Sequence, residues 1–200
     1  MYDISPVPAS PAVISAYRSL WLNSLQVEPS CFGPDFASEA ALSEDVWYER
    51  MNSPSRKTFI ASVSSRVSQD VYKEGVSVAS VGDTWVGTVT IQGPSALSPS
   101  SLAPLEKAGI AGNWAPYLLI AMWVHPDHRG KGIGYKLVAR GLDWAREHED
   151  PKFVGDVGKV VLLQCRDYNA RGRALYTKAG FRDLLDVPVE NEIRWMSVKL

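Results

Sequence analysis

The chain is expected to fold as an α/β protein with a mixed, mostly antiparallel sheet flanked by helices, and three observations lead there. Two apolar runs of strand length, YLLIAMWV (residues 117–124) and KVVLLQC (residues 159–165), suit strands covered on both faces, and a helical segment follows each. Upstream, β-rich stretches separated by turn residues read as an antiparallel meander. Near the start, apolar residues recur at helical rather than strand spacing.

Taken in order, MYDISPVPASPAV reads as a loose, proline-rich start. Ser10 then caps a helix whose first residue is Pro11, with Val13, Ile14, Tyr17, Leu20, Trp21 and Leu25 on one face. Prolines and glycine in QVEPSCFGPDF break it, and SEDVWYERM supplies another cap and a short helix carrying Val46, Trp47 and Met51. Two helices are thus expected before the sheet. In KTFIASVSS, Phe59, Ala61 and Val63 alternate, and GVSVASV and TWVGTVTIQ continue the meander on either side of Gly82-Asp83. Residues 93–116, rich in Pro, Ser, Gly and Ala, form a long loop or a loop holding one short helix around residues 102–107.

After the strand at 117–124 and the turn HPDHRGKGIG, a helix places Ile133, Leu137, Val138, Leu142 and Ala145 on one face. The strand at 159–165 leads to a helix that begins at Asn169 and stops at Gly180. FRDLLDV and EIRWMSVKL close the chain as a hairpin. A length of 200 residues supports one domain over 1–200, with its core from about residue 10 and an insertion at 93–116.

Lys plus Arg total 21 and Asp plus Glu 22, so the net charge of -1 offers no general attraction to nucleic acid or to an anionic membrane. Cys31 and Cys165 lie far apart with no CxxC pair, which argues against a disulfide scaffold and a cysteine-rich zinc site. With no basic leader and no long apolar run, a cytoplasmic protein is expected.

The turn Arg129-Gly130-Lys131-Gly132-Ile133-Gly134 lies between a buried strand and an amphipathic helix. That context gathers unsatisfied backbone N–H groups at the positive end of a helix dipole, a natural phosphate or pyrophosphate site. Glycines leave the approach open, and Arg129 and Lys131 add mobile positive charge. The spacing departs from the dinucleotide fingerprint and lacks the ending of a Walker A loop, which disfavours hydride transfer and ATP hydrolysis. A tight turn that merely permits close packing is the competing reading.

VHPDHRGKGIGYKLV resembles motif A of the GNAT family of N-acetyltransferases, whose R/Q-x-x-G-x-G/A core is matched by Arg129, Gly132 and Gly134. NARGRALYTKAGF resembles the family's N-x-x-A-x-x-L-Y-x-K-x-GF element, with Asn169, Tyr176, Lys178, Gly180 and Phe181 in place and Gly172 where alanine is usual. LQVEPSCFGPDF with SEDVWYERM is similar to the first two helices of many members. The resemblance implies a sheet splayed between the strands at 117–124 and 159–165, with acyl-CoA in the gap. It also implies acetyl transfer from acetyl-CoA to a primary amine, by direct attack through a tetrahedral intermediate. An acyl-CoA-binding regulatory module without turnover is the alternative.

Amide formation from a thioester needs a neutral amine, a polarised carbonyl and a proton for the departing thiolate. Many members carry a glutamate on the strand before motif A, and YLLIAMWV has no carboxylate. Glu106, Asp83, Glu190 or ordered water remain as routes for the amine proton. A backbone N–H near residues 122–124 is placed to stabilise the oxyanion, and main-chain groups of Trp123 and Val124 to bond the pantetheine arm. Tyr176 is implied as the proton donor to the thiolate, against a packing role. Asn169 either caps its helix or caps and touches the cofactor. The cofactor-binding set is therefore Trp123, Val124, Arg129, Gly130, Lys131, Gly132, Ile133, Gly134 and Asn169. His125 and His128 lack a third ligand for a metal, and no metal is expected. Trp85, Trp114 and Trp123 are candidates for an acceptor pocket, at least two of them more suited to the core. Partners are then acetyl-CoA and an amine acceptor, with no nucleic acid or membrane and with a homodimer as a candidate assembly. A basic groove would point to acidic acceptors and an acidic one to polyamines or aminoglycosides.

Overall fold

Alternating and continuous apolar strands cover one sheet from both sides, and the helices divide between its faces according to the stripes they carry. The computed structural model describes residues 1–8, 10–63, 84–110, 114–155 and 157–200. In order these form β1 (Tyr2–Pro6), α1 (Pro11–Val27), α2 (Phe36–Ala40), α3 (Glu44–Asn52), β2 (Arg56–Val63) and β3 (Thr84–Gln92). Then come α4 (Pro99–Lys107), β4 (Trp114–Val124), α5 (Ile133–Glu147), β5 (Gly158–Arg166), α6 (Ala170–Lys178), β6 (Arg182–Asp183) and β7 (Ile193–Lys199).

The sheet runs β1-β2-β3-β4-β5-β7-β6. Only β4 and β5 pair in parallel, and every other neighbour is antiparallel. This is the mixed, mostly antiparallel sheet expected from the sequence. One face carries α5, where Leu137, Val138 and Ala145 pack on Val89, Ile91, Val161 and Leu163. The other carries α1 and α3, with Tyr17, Leu25 and Trp47 packed on Ile60 and Trp123. α4 sits further along, where Leu105 meets Val160 and Leu162. Alternate residues of β5 thus serve opposite layers, which explains its continuous apolar run.

α1 begins as expected, with Ser10 at the N-cap and proline in the first turn, and Ser43 caps α3 by accepting from the Val46 amide. Three expectations need correction. The proline-rich start contains β1, which pairs with β2 from Tyr2↔Val63 to Pro6↔Phe59. Tyr2 and Ile4 alternate with Asp3 and Ser5 and pack on the α5 layer, and as an edge strand β1 tolerates Pro6. A further short helix, α2, is started by Asp35, whose side chain accepts from the Ser38 amide at 2.9 Å. β4 begins at Trp114, inside the segment read as loop. The expected strand GVSVASV lies outside the described residues. No described helix is long and apolar enough to cross a membrane.

Candidate active site

β4 and β5 pair from Trp114↔Gly158 to Leu119↔Leu163, after which their ladder ends. Each stays tied to its outer neighbour, β4 to β3 as far as Val124↔Gly87 and β5 to β7 as far as Arg166↔Ile193. The two strands therefore part in the middle of the sheet. A bulge accompanies the parting, because β3 and β4 shift register between Thr88↔Trp123 and Thr90↔Ile120. Ala121 there takes φ 52°, a left-handed conformation unusual for a residue with a Cβ.

Beyond β4 the turn Pro126–His128 leads to α5. Gly130 (φ 75°) and Gly132 (φ 77°) occupy the left-handed region with open space beside them, so backbone angle rather than packing calls for glycine. Gly134 answers to packing: a Cβ there would lie 3.1 Å from Leu175 and 3.2 Å from Met122. Ile133 is buried in the α5 layer. Among the described residues no backbone N–H of 130–135 donates to another backbone group. Gly132, the N-cap of α5, offers no side-chain cap. These amides converge where the dipole of a 15-residue helix is positive, a geometry that accepts an anion.

The two cations of the turn differ from expectation. Arg129 is fixed: its Nε donates to the Val124 carbonyl (2.8 Å), and its guanidinium pairs with Glu28 at the end of α1, one contact measuring 2.9 Å. Glu28 also accepts from Trp123 Nε1 at 2.8 Å. The Arg129 hydrogen bond outweighs burial and holds the Glu28 carboxyl below its usual range. Lys131 is exposed, donating to the Asp127 carbonyl and lying over the Tyr2 ring. Trp123 is buried against α1, so only its main chain remains for a ligand, and the Val124 carbonyl is already engaged.

Where the strands part, a cavity of about 460 Å³ opens on the α1 and α3 side. Leu119, Ala121 and Met122 of β4 border it, as do Gln164 and Cys165 of β5. Its aromatic wall comes from Tyr17, Trp21, Phe32 and Trp47, and none of Trp85, Trp114 and Trp123 lines it. Trp114 packs beside α4 with Lys199 over its ring, Trp123 is in the core, and Trp85 is partly buried in the same layer.

Tyr176 borders the cavity and is packed against Phe181. Burial pushes its hydroxyl well above the ordinary tyrosine pKa, with smaller contributions from Cys165 and Cys31. Both thiols also border the cavity. Burial raises each, Cys165 to about 11, so neither is an activated nucleophile. Asn169 caps α6 by accepting from the Gly172 amide (2.9 Å) and does not line the cavity. A Cβ at residue 172 would lie 2.6 Å from that amide side chain, which accounts for glycine where alanine is usual.

Of the expected carboxylates, Asp83 lies outside the described residues, and Glu106 and Glu190 stand away from the cavity, Glu190 pairing with Lys107 near the surface. Sequence reading missed Glu39, the one carboxylate among the described residues that lines the cavity. It is buried and accepts from Trp21 Nε1 and Arg50 Nη1, each at 2.9 Å. The alanine-rich run around it gave no signal of that placement. His125 and His128 are half-buried, His125 against the Trp123 ring and His128 bonding the Tyr2 hydroxyl at 3.0 Å. Among the described residues no group of His, Cys, Asp or Glu is arranged to hold a metal ion.

A sheet whose parallel central strands part, with an uncapped helix start following the first of them and a cavity bordered by both, is the arrangement that the family resemblance implies. The model of the acetyltransferase (GNAT) family matches residues 44–181, and the chain belongs to that family. No curated protein matches it. Among solved structures it is similar to yncA from Salmonella typhimurium, solved with its cofactor acetyl-CoA, at 16% identity and TM-score 0.59, covering 100% of this chain and 94% of that one. It is also similar to Arabidopsis thaliana NAA60 in complex with acetyl-CoA, at 15% identity and TM-score 0.56, covering 100% and 99%. The GNAT domain of S. lividans PAT matches at 14% identity and TM-score 0.60, covering 98% and 89%. At these identities the likeness concerns the fold.

Proposed function

We propose that this protein is an acyl-CoA-dependent N-acyltransferase that moves an acetyl group from acetyl-CoA to a primary amine. The reading is carried by the unpartnered amides of residues 130–135, which follow β4 in the chain, together with the β4–β5 parting and the cavity bordered by both strands. The amides and Lys131 hold the pyrophosphate. Arg129 acts by positioning, since its pairing with Glu28 ties the turn to α1. Main-chain groups around Trp123 and Val124 hold the pantetheine arm, and a backbone N–H of 122–124 stabilises the oxyanion. Asn169 serves as a cap.

Direct attack forms the C–N bond, passes through a tetrahedral intermediate and breaks the C–S bond. The amine loses one proton and the thiolate gains one. Arg50, Arg56 and Arg166 border the cavity, and their like charge favours the neutral form of an entering amine. This field lowers the demand for a strong base on β4. Tyr176 protonates the thiolate; its raised pKa makes it a weak acid, which argues for a small catalytic contribution.

A carboxylate-free β4 favours the alternative of a non-catalytic acyl-CoA-binding module. Calorimetry with CoA and thiol release from acetyl-CoA over an amine panel separate the two. We expect binding and turnover, and Tyr176→Phe should lower kcat about tenfold, near the bottom of the range for general acids, while leaving CoA affinity intact. Binding without turnover for any amine would establish the module instead, and no binding at millimolar CoA would defeat both readings.

A further inference from the structure

Resting on that transferase reading, we propose that the acceptor amine also carries a carboxylate, and that Arg56 binds it at the end of the cavity farthest from the strand gap. Three arginines and one glutamate line the cavity among the described residues, so its wall carries a net charge of about +2 in a chain whose net charge is -1. The positive charge is thus local to this site.

The three arginines are not equivalent. Arg50 is neutralised by Glu39 at 2.9 Å and lies over the Trp47 ring. Arg166 spends its donors on the carbonyls of Asn191 (3.1 Å) and Phe32 (3.3 Å), tying β5 to the loop before α2. The Arg56 side chain makes no ion pair and no hydrogen bond among the described residues, and its Nε is buried without a partner. Burial depresses its pKa, opposed by Tyr17 and Glu39 and reinforced by the neighbouring Arg50 charge, yet a guanidinium stays protonated throughout the physiological range. A buried Nε without a partner is costly, and a ligand carboxylate that accepts from it and from a terminal nitrogen satisfies it in a bidentate way.

Register fixes where that carboxylate would sit. Arg56 pairs with Gln92, and Gln92 with Leu118, so the three form one row across β2, β3 and β4, all bordering the cavity. Two strand spacings, about 10 Å, separate β2 from β4. The bulge at Ala121 lies further along β4, in the stretch past Leu119 that no longer pairs with β5, and Tyr176 of α6 borders the same cavity. A carboxylate at Arg56 therefore belongs to the acceptor, with its amine directed toward the gap. Tyr17, Trp21 and Trp47 wall the space between, which fits an apolar body on a small amino carboxylate.

The test compares matched acceptors: apolar amino acids, their primary amides and the corresponding decarboxylated amines. ω-Amino acids of increasing chain length probe the span. Thiol release from acetyl-CoA should favour the carboxylate form at least tenfold in kcat/KM. Arg56→Gln should erase that preference, acting mainly through KM, while Arg56→Lys keeps part of it. CoA titration and thermal melting on each variant check that the fold and the cofactor site persist. Equal use of acid, amide and amine by the wild type, or a preference for polyamines, would overturn the inference while leaving the transferase reading intact. So would an Arg56→Gln effect confined to succinyl-CoA as donor, since the guanidinium would then serve the acyl chain. If nothing turns over, calorimetry of amino carboxylates against the CoA-loaded protein decides: binding lost in Arg56→Gln supports the inference, and no binding overturns it. Failure to bind CoA at all would sink the transferase reading itself.

Discussion

The helices that follow the two central strands start in opposite ways. α6 begins at Asn169, whose side chain accepts from the Gly172 amide, so its exposed donors are partly satisfied by the chain itself. α5 begins at Gly132, in a left-handed conformation, with no side-chain cap and a run of amides that donate to no backbone group. An ordinary cap contributes about 1 kcal/mol, so a bare helix start forgoes stability that evolution readily supplies elsewhere in the same chain, at Asp35 and Ser43. α1 and α4 also lack a side-chain cap, but each has proline in its first turn in place of a donor, whereas the α5 start keeps its donors open. The difference between α5 and α6 assigns the two sequence motifs different work, although both carry their expected residues.

The largest effect should come from the bare start. Gly132→Val forces a β-branched residue to φ 77°, a strain of about 1 to 3 kcal/mol that moves the first-turn amides. CoA affinity should fall on the order of 10- to 100-fold, read by calorimetry on the folded variant. Unchanged affinity would mean that these amides do not meet the cofactor.

Arg129→Ala sharpens the comparison, because this arginine braces the turn rather than standing free. Its side chain is 35% exposed, so screening reduces the pairing with Glu28 to about 1 kcal/mol of stability. A comparable loss of CoA affinity should accompany it through the displaced turn. The stability loss depends on pH. Since the folded-state pKa of Glu28 is depressed below 4.5, the ion pair contributes fully above that value and fades as pH falls through the lower, folded-state value. Melting curves should therefore separate wild type and Arg129→Ala at neutral pH and converge in acid. A constant gap down to pH 3 would show that Glu28 is not the partner that matters.

Asn169→Ala should produce the smallest change at the site. Loss of the cap costs about 1 kcal/mol in melting experiments, with CoA affinity unaltered. Should CoA binding weaken along with stability, α6 would no longer be the purely structural member of the pair.

The sequence by itself determined the features that are periodic or steric over a few residues. The apolar runs of β4 and β5, the stripe of α5, the Ser10-Pro11 start of α1 and the glycine turn are legible because backbone hydrogen bonding and left-handed angles impose local patterns. β1 was obscured because the neighbouring prolines mask a Tyr2, Ile4 alternation that makes sense only once β2 lies beside it. α2 is too short to show a period. Tertiary structure alone decided the partners of the charges and the composition of the cavity. Arg129 meets Glu28 across 101 residues, Glu39 is folded beneath Trp21, and the Arg56 Nε is buried without a hydrogen-bond partner among the described residues. Trp21 and Trp47, read as the stripes of two helices, supply the cavity wall in place of the tryptophans near the strands. Such contacts depend on strand register and helix placement summed over the whole sheet, and no spacing within the chain encodes them.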